Sequence, residues 1–532
     1  MAENENAAQE LKEVQVTDAE GRSYIAENRR YVGRKETIGY VVWDMAQSFN
    51  INAYNSRFVT NILQIDLTYQ KYFNLINGIW DVVNDVFTGA IVDKTRTRWG
   101  KFKPYLVLLA GPGTILTCIY WMLPLFFPGA ALTSVPKFVA FLALGLIREG
   151  IGTFQSIAQT GLIATITPHP VDRTRLITLA NFFSGFFGEK LPEQIMTVLV
   201  DLIGNSIIKP GPGKTVKHLY LNLFVGFGAF TSVVSGLASL WFNVITKERV
   251  MQSIERPSIW QGVKSIINNK PILLKTLSEI LGSFTLGGSK GDYFIDVLNF
   301  SSLGMITGIP GAIIHPFGYA IVPWAKRKFS TKWLYIISNN VGDFGYFLVF
   351  LFGSIGGKKN GMYKKIVPMG IALTIWEMFF MAFYGIKKVI PTEMENEAMD
   401  YCEWKNGYRT EAMTGVAKGL AKKLAGIFTS VITVQLKEMI GYDQTLYLKG
   451  ERQSDDVQYY IFAIFSAVPM ITSILCVIPM LFYDLQGEKR DRMYAELIAR
   501  RAHIAQVATG GDKEAIAQAA KEQMSVGEKK HK

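Results

Sequence analysis

The sequence predicts an all-α membrane protein with twelve transmembrane helices in two six-helix bundles, and three observations carry that prediction. Of 532 residues, 49% are apolar and only 19% are charged, whereas soluble domains run at about 25% charged. The apolar residues gather into long runs, and about 20 such residues in a helix cross a hydrocarbon layer of about 30 Å. The basic residues gather in alternate loops. Length alone would suit three or four soluble domains of roughly 150 residues, but 34 Phe and 10 Trp are hard to bury in cores of that size. The same figures exclude a fibrous or wholly disordered chain. Cys118, Cys402 and Cys476 offer neither a disulfide framework nor Cys/His metal spacing.

The runs fall at 38–62, 70–92, 104–127, 137–167, 175–204, 219–245, 272–299, 302–325, 333–355, 366–392, 411–440 and 457–483. The first, fifth and tenth carry several charges. Residues 1–36 are polar with no apolar stretch of signal-peptide type. They are expected to form a cytoplasmic tail, followed by a bundle over 37–246, a cytoplasmic loop over 247–270 and a second bundle over 271–483. The tail 484–532 is also placed in the cytoplasm. Tyr494, Leu497, Ile498 and Ile504 recur there at helical spacing, which predicts a surface helix that frays after Gly510.

Lys and Arg in short loops set orientation. With the N-terminus inside, the inner loops hold Lys94, Arg96, Arg98, Lys101 and Lys103, then Arg173 and Arg175, then Lys247 to Lys270, then Lys326 to Lys332. Outer loops at 63–68 and 124–136 hold none, although 205–218 and 354–365 dissent. Both termini are therefore placed in the cytoplasm of a cell whose inner membrane the chain crosses. The net charge of +12 then reads as membrane topology, and the expected partners are the lipid bilayer and a small-molecule solute, not nucleic acid. A monomer is expected. A faint repeat supports two halves: Lys101-Phe102-Lys103-Pro104-Tyr105 after the second run returns loosely as Lys328-Phe329-Ser330-Thr331-Lys332-Trp333 after the eighth. Parallel halves of this kind build the major facilitator fold, with its solute site near midplane.

An ionisable group at bilayer depth costs at least about 2.5–3.5 kcal/mol on insertion scales, so it faces a cavity or a partner. In Trp80-Asp81-Val82-Val83-Asn84-Asp85, the i,i+3 and i,i+4 spacing puts Asp81, Asn84 and Asp85 on one helix face. Two carboxylates and an amide oxygen suit Na⁺, and the like-charge pair equally suits a proton. Asp44, Ser48 and Asn55 form a polar stripe on the first run, with Gln47, Asn50, Asn52 and Arg57 nearby. A helix so polar cannot face lipid all round, and a solute-cavity wall is the preferred reading. At the inner end, Asp93 with Arg96 and Arg98 has the composition of a breakable salt-bridge gate.

These residues carry a resemblance. Trp80-Asp81-x-x-Asn84-Asp85, Gly89, Asp93 and Thr95-Arg96-Thr97-Arg98-Trp99-Gly100-Lys101-Phe102-Lys103-Pro104-Tyr105 resemble one signature of the glycoside–pentoside–hexuronide:cation symporters. Asp400-Tyr401-x-Glu403-Trp404-Lys405-x-Gly407-x-Arg409-x-Glu411 resembles the other. The resemblance spans roughly 37–483. It implies cation-coupled solute uptake by alternating access, with no cofactor, no metal beyond the coupling cation, and no enzymatic activity. It further implies Asp81, Asn84, Asp85 and Thr153 as the cation site, Lys423 as the coupling lysine that neutralises the carboxylates when no ion is bound, and Asp44 as a ligand of solute hydroxyls.

The chain also departs from the melibiose-permease pattern. Ser156 and Asn181 stand where that pattern has an Asp and an Arg, and Thr160 where it has a tryptophan. Other charges stand nearby: Arg148 and Glu149 on the fourth run, Glu189, Lys190 and Glu193 on the fifth, Glu377 on the tenth, and Lys387 and Lys388 if that helix runs on. Two readings stay open: structural pairing, or a cavity for a charged, zwitterionic or lipid-like solute or for a sugar held in a different pose. On the second, Arg148, Glu149, Asn181, Glu189 and Lys190 touch solute, and Trp376 stacks a ring. A transporter-shaped sensor is the alternative of another class. Gly211-Pro212-Gly213-Lys214-Thr215 lacks the first glycine and preceding strand of a phosphate loop. The five histidines form no evident triad, and His315 is expected to pack.

Overall fold

The computed structural model describes residues 15–17, 23–25, 32–95, 97, 99–166, 170–248, 267–283, 288–406 and 411–509. Apart from a two-strand antiparallel ribbon, Gln15–Thr17 with Ser23–Ile25, the regular elements are helical. The longer helices are α1 (Arg34–Ser48), α2 (Leu67–Lys94), α3 (Lys103–Phe126), α4 (Val135–Thr165), α5 (Pro170–Phe183), α6 (Leu191–Gly204) and α7 (Val216–Ile245). They continue as α8 (Lys270–Ser283), α9 (Lys290–Asp296), α10 (Leu303–Ala320), α11 (Val322–Lys328), α12 (Thr331–Gly353), α13 (Ile366–Asn406) and α14 (Glu411–Met439). The last are α15 (Asp455–Ser466), α16 (Val468–Ser473), α17 (Val477–Leu481) and α18 (Glu488–Thr509).

Among the described residues, six segments are long and apolar enough to cross a membrane: Leu67–Val92, α3, α7, α12, Ile366–Lys405 and Asp455–Leu481. The pair α10 and α11, bent by 51°, makes a seventh if it is one span. The other five of the twelve runs are helical but interrupted or charged. The first breaks after Ser48, where the Asn50 side chain turns on the backbone: its Nδ2 donates to Gln47 O at 3.1 Å, and its Oδ1 accepts from the backbone N of Asn52 at 2.9 Å. Such local bonds compete with the helical ladder. The fifth is interrupted by a π-helical stretch, Ser184–Lys190. The seventh is described as two helices, Lys270–Ser283 and Lys290–Asp296, with Gly288 and Ser289 outside the helix before the second. The fourth and eleventh are continuous, at 31 and 29 residues, but carry Lys137, Arg148 and Glu149, or Lys418, Lys422 and Lys423. The tenth outgrows its predicted end. α13 runs 41 residues through Pro391, about 60 Å at 1.5 Å per residue, and so carries the start of the second signature, Asp400 to Lys405, on one helix with Trp376 and Lys387.

Two compact units organise the chain: Met1–Asp66 with Val83–Ile254, and Leu67–Val82 with Glu255–Lys532. In the first, α3 packs on α4 and α7, and α1 on α5 and α7. Small residues allow the approach. A Cβ at Gly236 would meet Thr114 at 2.0 Å, and one at Gly228 would meet Trp121 at 2.5 Å. Tyr40, Trp43, Phe102, Leu162 and Phe242 fill the core.

In the second unit α10 lies against α13 backbone to backbone: a Cβ on Gly385 would stand 2.3 Å from Gly318 O. One core gathers Tyr293, Tyr363, Trp376, Phe462 and Phe465; another gathers Tyr335, Ile390, Met394, Tyr483, Met493 and Leu497. The latter takes in α18, the predicted tail helix, which buries Met493 and Leu497 but leaves Ile498 64% exposed. Glu496 Oε2 accepts from Trp404 Nε1 at 2.6 Å, and Arg500 donates to Trp404 O at 3.0 Å. The expected fraying after Gly510 falls outside the described residues. His315 packs against Tyr319 and Tyr384.

The faint sequence repeat has a structural counterpart. In the first unit Lys103 Nζ donates to Val244 O at 3.0 Å and Thr246 O at 2.6 Å, closing the end of α7. In the second, Lys332 Nζ donates to Leu481 O at 2.8 Å and Tyr483 O at 3.3 Å, closing the end of α17. Carboxylates follow each clamp. Glu248 accepts from Lys101 N, Phe102 N and Lys103 N at 2.7–2.9 Å, a negative charge on the N-terminus of α3. Asp484 binds Lys270 at 3.0 Å and Lys489 at 2.9 Å.

Candidate functional site

The candidate coupling centre lies on α2. Leu67–Val82 belongs to the second unit, so Asp81 and Lys423 are placed within one compact body. There Lys423 Nζ donates to Asp81 Oδ1 at 3.0 Å. The contact is one of a ladder joining the first half of α2 to α14. Lys71 pairs with Glu438 and donates to Gln435 Oε1 at 2.7 Å. Thr68 donates to the same Glu438 at 3.2 Å, and Asn74 Nδ2 donates to Ser430 O at 3.4 Å. Gly78 makes the ladder possible, since a Cβ there would come within 2.4 Å of Ile427.

One turn on from Asp81, Asn84 is buried at 7% exposure, its Oδ1 accepting from Thr88 Oγ1 at 3.1 Å while its Nδ2 is buried without a partner among the described residues. Asp85 is half-buried. Thr153 on α4 is buried, its hydroxyl donating to Glu149 O at 3.1 Å, which leaves its oxygen lone pairs available. A carboxylate engaged by a lysine is a site where a small cation and an ammonium compete for the same oxygens.

Among the described residues of the first unit, two cavities have a polar lining that is neutral but for one acid. One, of about 190 Å³, is edged by Gln47, Asn50, Thr114, Thr117, Gln155 and Ser235. The other, of about 340 Å³, is lined by Gln47, Ser48, Asn50, Ala53 and Glu193. Gln47 Nε2 donates to Ser239 Oγ at 2.6 Å. Asp44 is one turn before Ser48 on α1, and Ser184 from the π-helical stretch donates toward Asp44 O at 3.2 Å and Ser48 Oγ at 2.9 Å. Gly188 lets that stretch lie on α1, where a Cβ would sit 2.5 Å from Met45 O.

The remaining predicted residues scatter. Arg148 does not pair with Glu149; its guanidinium stacks 4.0 Å from the ring centre of Tyr120, whose hydroxyl donates to Asn55 Oδ1 at 2.5 Å. Glu149 is half-buried and Asn181 exposed. Lys190 pairs with Glu193 at 3.5 Å. Trp376 is packed in the aromatic core against Tyr346, Phe379 and Phe380 and lines none of the described cavities. The side chains of Glu189 and Asp93, and all of Arg96 and Arg98, lie outside the described residues, so the expected gate does too.

A larger cavity, about 650 Å³, opens in the second unit, where the sequence reading placed little beyond Lys387. It is lined by Glu279, Lys290, Asp343, Lys387 and Lys422, with Tyr346 and Phe465 among its aromatic walls. Lys290 pairs with Glu377 at 3.4 Å and Lys422 with Glu279 at 3.0 Å. Behind them Lys275, only 1% exposed, pairs with Glu279 at 2.5 Å and Glu395 at 3.2 Å, and Lys418 pairs with Glu395 at 2.8 Å. The sequence signal was available, since each lining charge lies inside or beside a predicted span. Nothing in the spacing told which ones converge.

Comparison with known proteins adds the family. Residues 37–487 match the family described as MFS/sugar transport protein. Over 480 residues the chain is 22% identical to the glucuronide carrier protein homolog of Escherichia coli K12, covering 87% of this chain and 95% of that protein. It is 24% identical to a lactose permease of Leuconostoc lactis, over 79% of this chain and 62% of the permease. A crystal structure of a mutant form of the nucleoside transporter NupG superposes with a TM-score of 0.50 at 13% identity, covering 84% of this chain and 98% of that one; at that identity the likeness concerns the fold. The chain belongs to the MFS/sugar transport protein family, in the lineage of glycoside–pentoside–hexuronide symporters, and is a membrane transport protein rather than an enzyme.

Proposed function

We propose that the chain is a secondary active transporter coupling Na⁺ or H⁺ to the uptake of a glycoside or related small organic solute by alternating access. The observation that carries this reading is the Lys423–Asp81 ion pair at 3.0 Å. Lys423 holds the Asp81 carboxylate, and Asn84, Asp85 and Thr153 are the further cation ligands proposed on the family resemblance. A cation entering that set competes with the lysine, and release of the lysine changes what α14 is tied to. Binding linkage is reciprocal, so the cation raises solute affinity and the solute raises cation affinity by the same factor.

The amide and hydroxyl lining of the first-unit cavities suits a sugar's hydroxyls, with Asp44 on the adjoining turn as a strong acceptor. Arg148, Glu149, Asn181, Glu189 and Lys190 remain proposed solute contacts, and Trp376 is retained as a proposed ring-stacking group of the second unit. Asp93, Arg96 and Arg98 are the proposed inner gate. The basic-loop asymmetry supports an inner-membrane protein with both termini cytoplasmic, acting as a monomer. The relatives named for glucuronide and lactose guide the choice of probes.

Purified protein in liposomes would be offered radiolabelled lactose or 4-nitrophenyl glucuronide under an inward Na⁺ gradient and, separately, an inward H⁺ gradient. The expected result is accumulation above the external concentration under one of the two gradients, lost in Asp81→Ala that still elutes as a folded monomer. Gradient-driven accumulation by Asp81→Ala would remove the cation site from the account. Wild-type equilibration indifferent to both gradients would remove coupling altogether.

A further inference from the structure

The charged cavity of the second unit contains two ionisable side chains that the ion-pair network does not absorb. Lys290 and Lys422 each make a contact pair with a glutamate. Asp343 on α12 and Lys387 on α13 make none within 4 Å among the described residues, although Lys387 is within electrostatic reach of Asp343 and both face the same 650 Å³ space. Lys387 is instead 5.3 Å from the ring centre of Phe380, and Ser473, Asn339 and Tyr346 complete the polar wall around them. Two opposite charges line one polar cavity, within electrostatic reach but not in contact, with Ser473 hydrogen-bonded to Asp343, and so offer both signs to a solute.

We infer that this cavity receives a zwitterionic solute of sugar size, its ammonium toward Asp343 and its carboxylate toward Lys387. The inference rests on the transport reading and names the class of solute. Electrostatics selects among the candidates. A simple anion drawn to Lys387 meets the Asp343 carboxylate, and a simple cation drawn to Asp343 meets the Lys387 ammonium. Where the two charged groups are half-buried, each mismatch offsets the gain of the match. A neutral sugar satisfies neither charge. Only a molecule bearing both signs compensates both groups at once, and charge-assisted bonds to ionised partners are the stronger kind. A cavity of this volume lies within the usual range for a small-molecule site, about 300–1,000 Å³.

Four sugars of one frame separate the possibilities at neutral pH: muramic acid (zwitterion), N-acetylmuramic acid (anion), glucosamine (cation) and glucose (neutral). Binding to the full-length detergent-purified protein is measured by thermal stabilisation and titration, with Na⁺ present and absent. Muramic acid is expected to bind about tenfold or more tightly than each of the others. Lys387→Gln and Asp343→Asn should each reduce that preference about tenfold, while Lys387→Arg retains it. Retention in Lys387→Arg guards against reading a folding defect as lost recognition. The inference is overturned if muramic acid fails to stabilise the protein, if glucose or a singly charged sugar binds as tightly, or if the Gln and Asn variants keep the wild-type preference. A neutral solute that wins this comparison and is still driven by a cation gradient sinks this inference alone. Absence of any cation-driven uptake sinks the transport reading, whichever charge the cavity prefers.

Discussion

In the first unit Lys103 reaches from the start of α3 to the last carbonyls of α7, and in the second Lys332 reaches from the start of α12 to Leu481 and Tyr483. An acidic residue beyond the clamped end, Glu248 or Asp484, then ties down neighbouring donors. The frames are alike, yet the interiors differ. The first unit's cavities are edged by glutamines, asparagines, serines and threonines, with Glu193 as a single acid. The second unit's cavity is edged by two acids and three lysines. Closing a helix end answers a requirement that any span has, to satisfy its terminal carbonyls. The cavity lining answers to whatever passes through, and here the halves have diverged.

That contrast can be broken at several points. The largest effect is expected at the coupling pair. Lys423→Ala should abolish gradient-driven accumulation, leaving at most equilibration, and wild-type Na⁺ or pH dependence in that variant would count against its coupling role. A smaller loss is expected in the neutral cavities. Gln155→Ala removes one uncharged hydrogen-bonding group, worth about 0.5–1.5 kcal/mol, so the solute KM should rise about three- to tenfold with little change in kcat. An unchanged KM would move the solute site away from this cavity.

The Lys71–Glu438 pair is part exposed, at 18% and 37%, and solvent screening leaves pairs of that kind weak. Glu438→Gln should therefore alter transport rate no more than about fivefold, and a complete loss would show that this end of the ladder is a principal gate. The smallest effect belongs to the clamp. Burial works to raise the Asp484 carboxyl, but hydrogen bonds from Lys489 and Lys270 outweigh it and hold the pKa below the ordinary value. A depressed carboxylate contributes stability that is present above its unfolded pKa, near 3.9, and fades as pH falls through the folded value. Asp484→Asn should lower Tm modestly at pH 7, and the gap to wild type should close as pH falls below about 4. A constant gap across that range would show that the ion pairs are not its source.

Much of the frame was legible in the sequence, because span length, loop charge and helical spacing are local quantities. Asp81 and Lys423 were identified by a motif and a resemblance, and the structure brings them to 3.0 Å. What stayed hidden depends on tertiary convergence. Arg148 read as a solute contact or a salt-bridge partner, yet its guanidinium rests on Tyr120, 28 positions away in sequence. Trp376 read as a stacking platform, yet it fills the space that Gly345 leaves by lacking a side chain. Asp343 carries no motif and was not singled out; only the fold shows it facing Lys387's cavity. The first run's polarity was visible, but that Asn50 binds the backbone where the helix breaks was not, because that outcome depends on where its amide turns.

The central claim is that a cation and Lys423 exchange places at Asp81, and cation binding without solute tests it most directly. Titration of Na⁺ into purified protein, with proton uptake followed in parallel by a pH indicator, would compare wild type, Lys423→Ala and Asp81→Asn. With its competitor removed, Lys423→Ala should bind its cation more tightly than wild type, by about tenfold or more, while Asp81→Asn should lose the binding. Equal cation affinity in all three proteins would contradict the account.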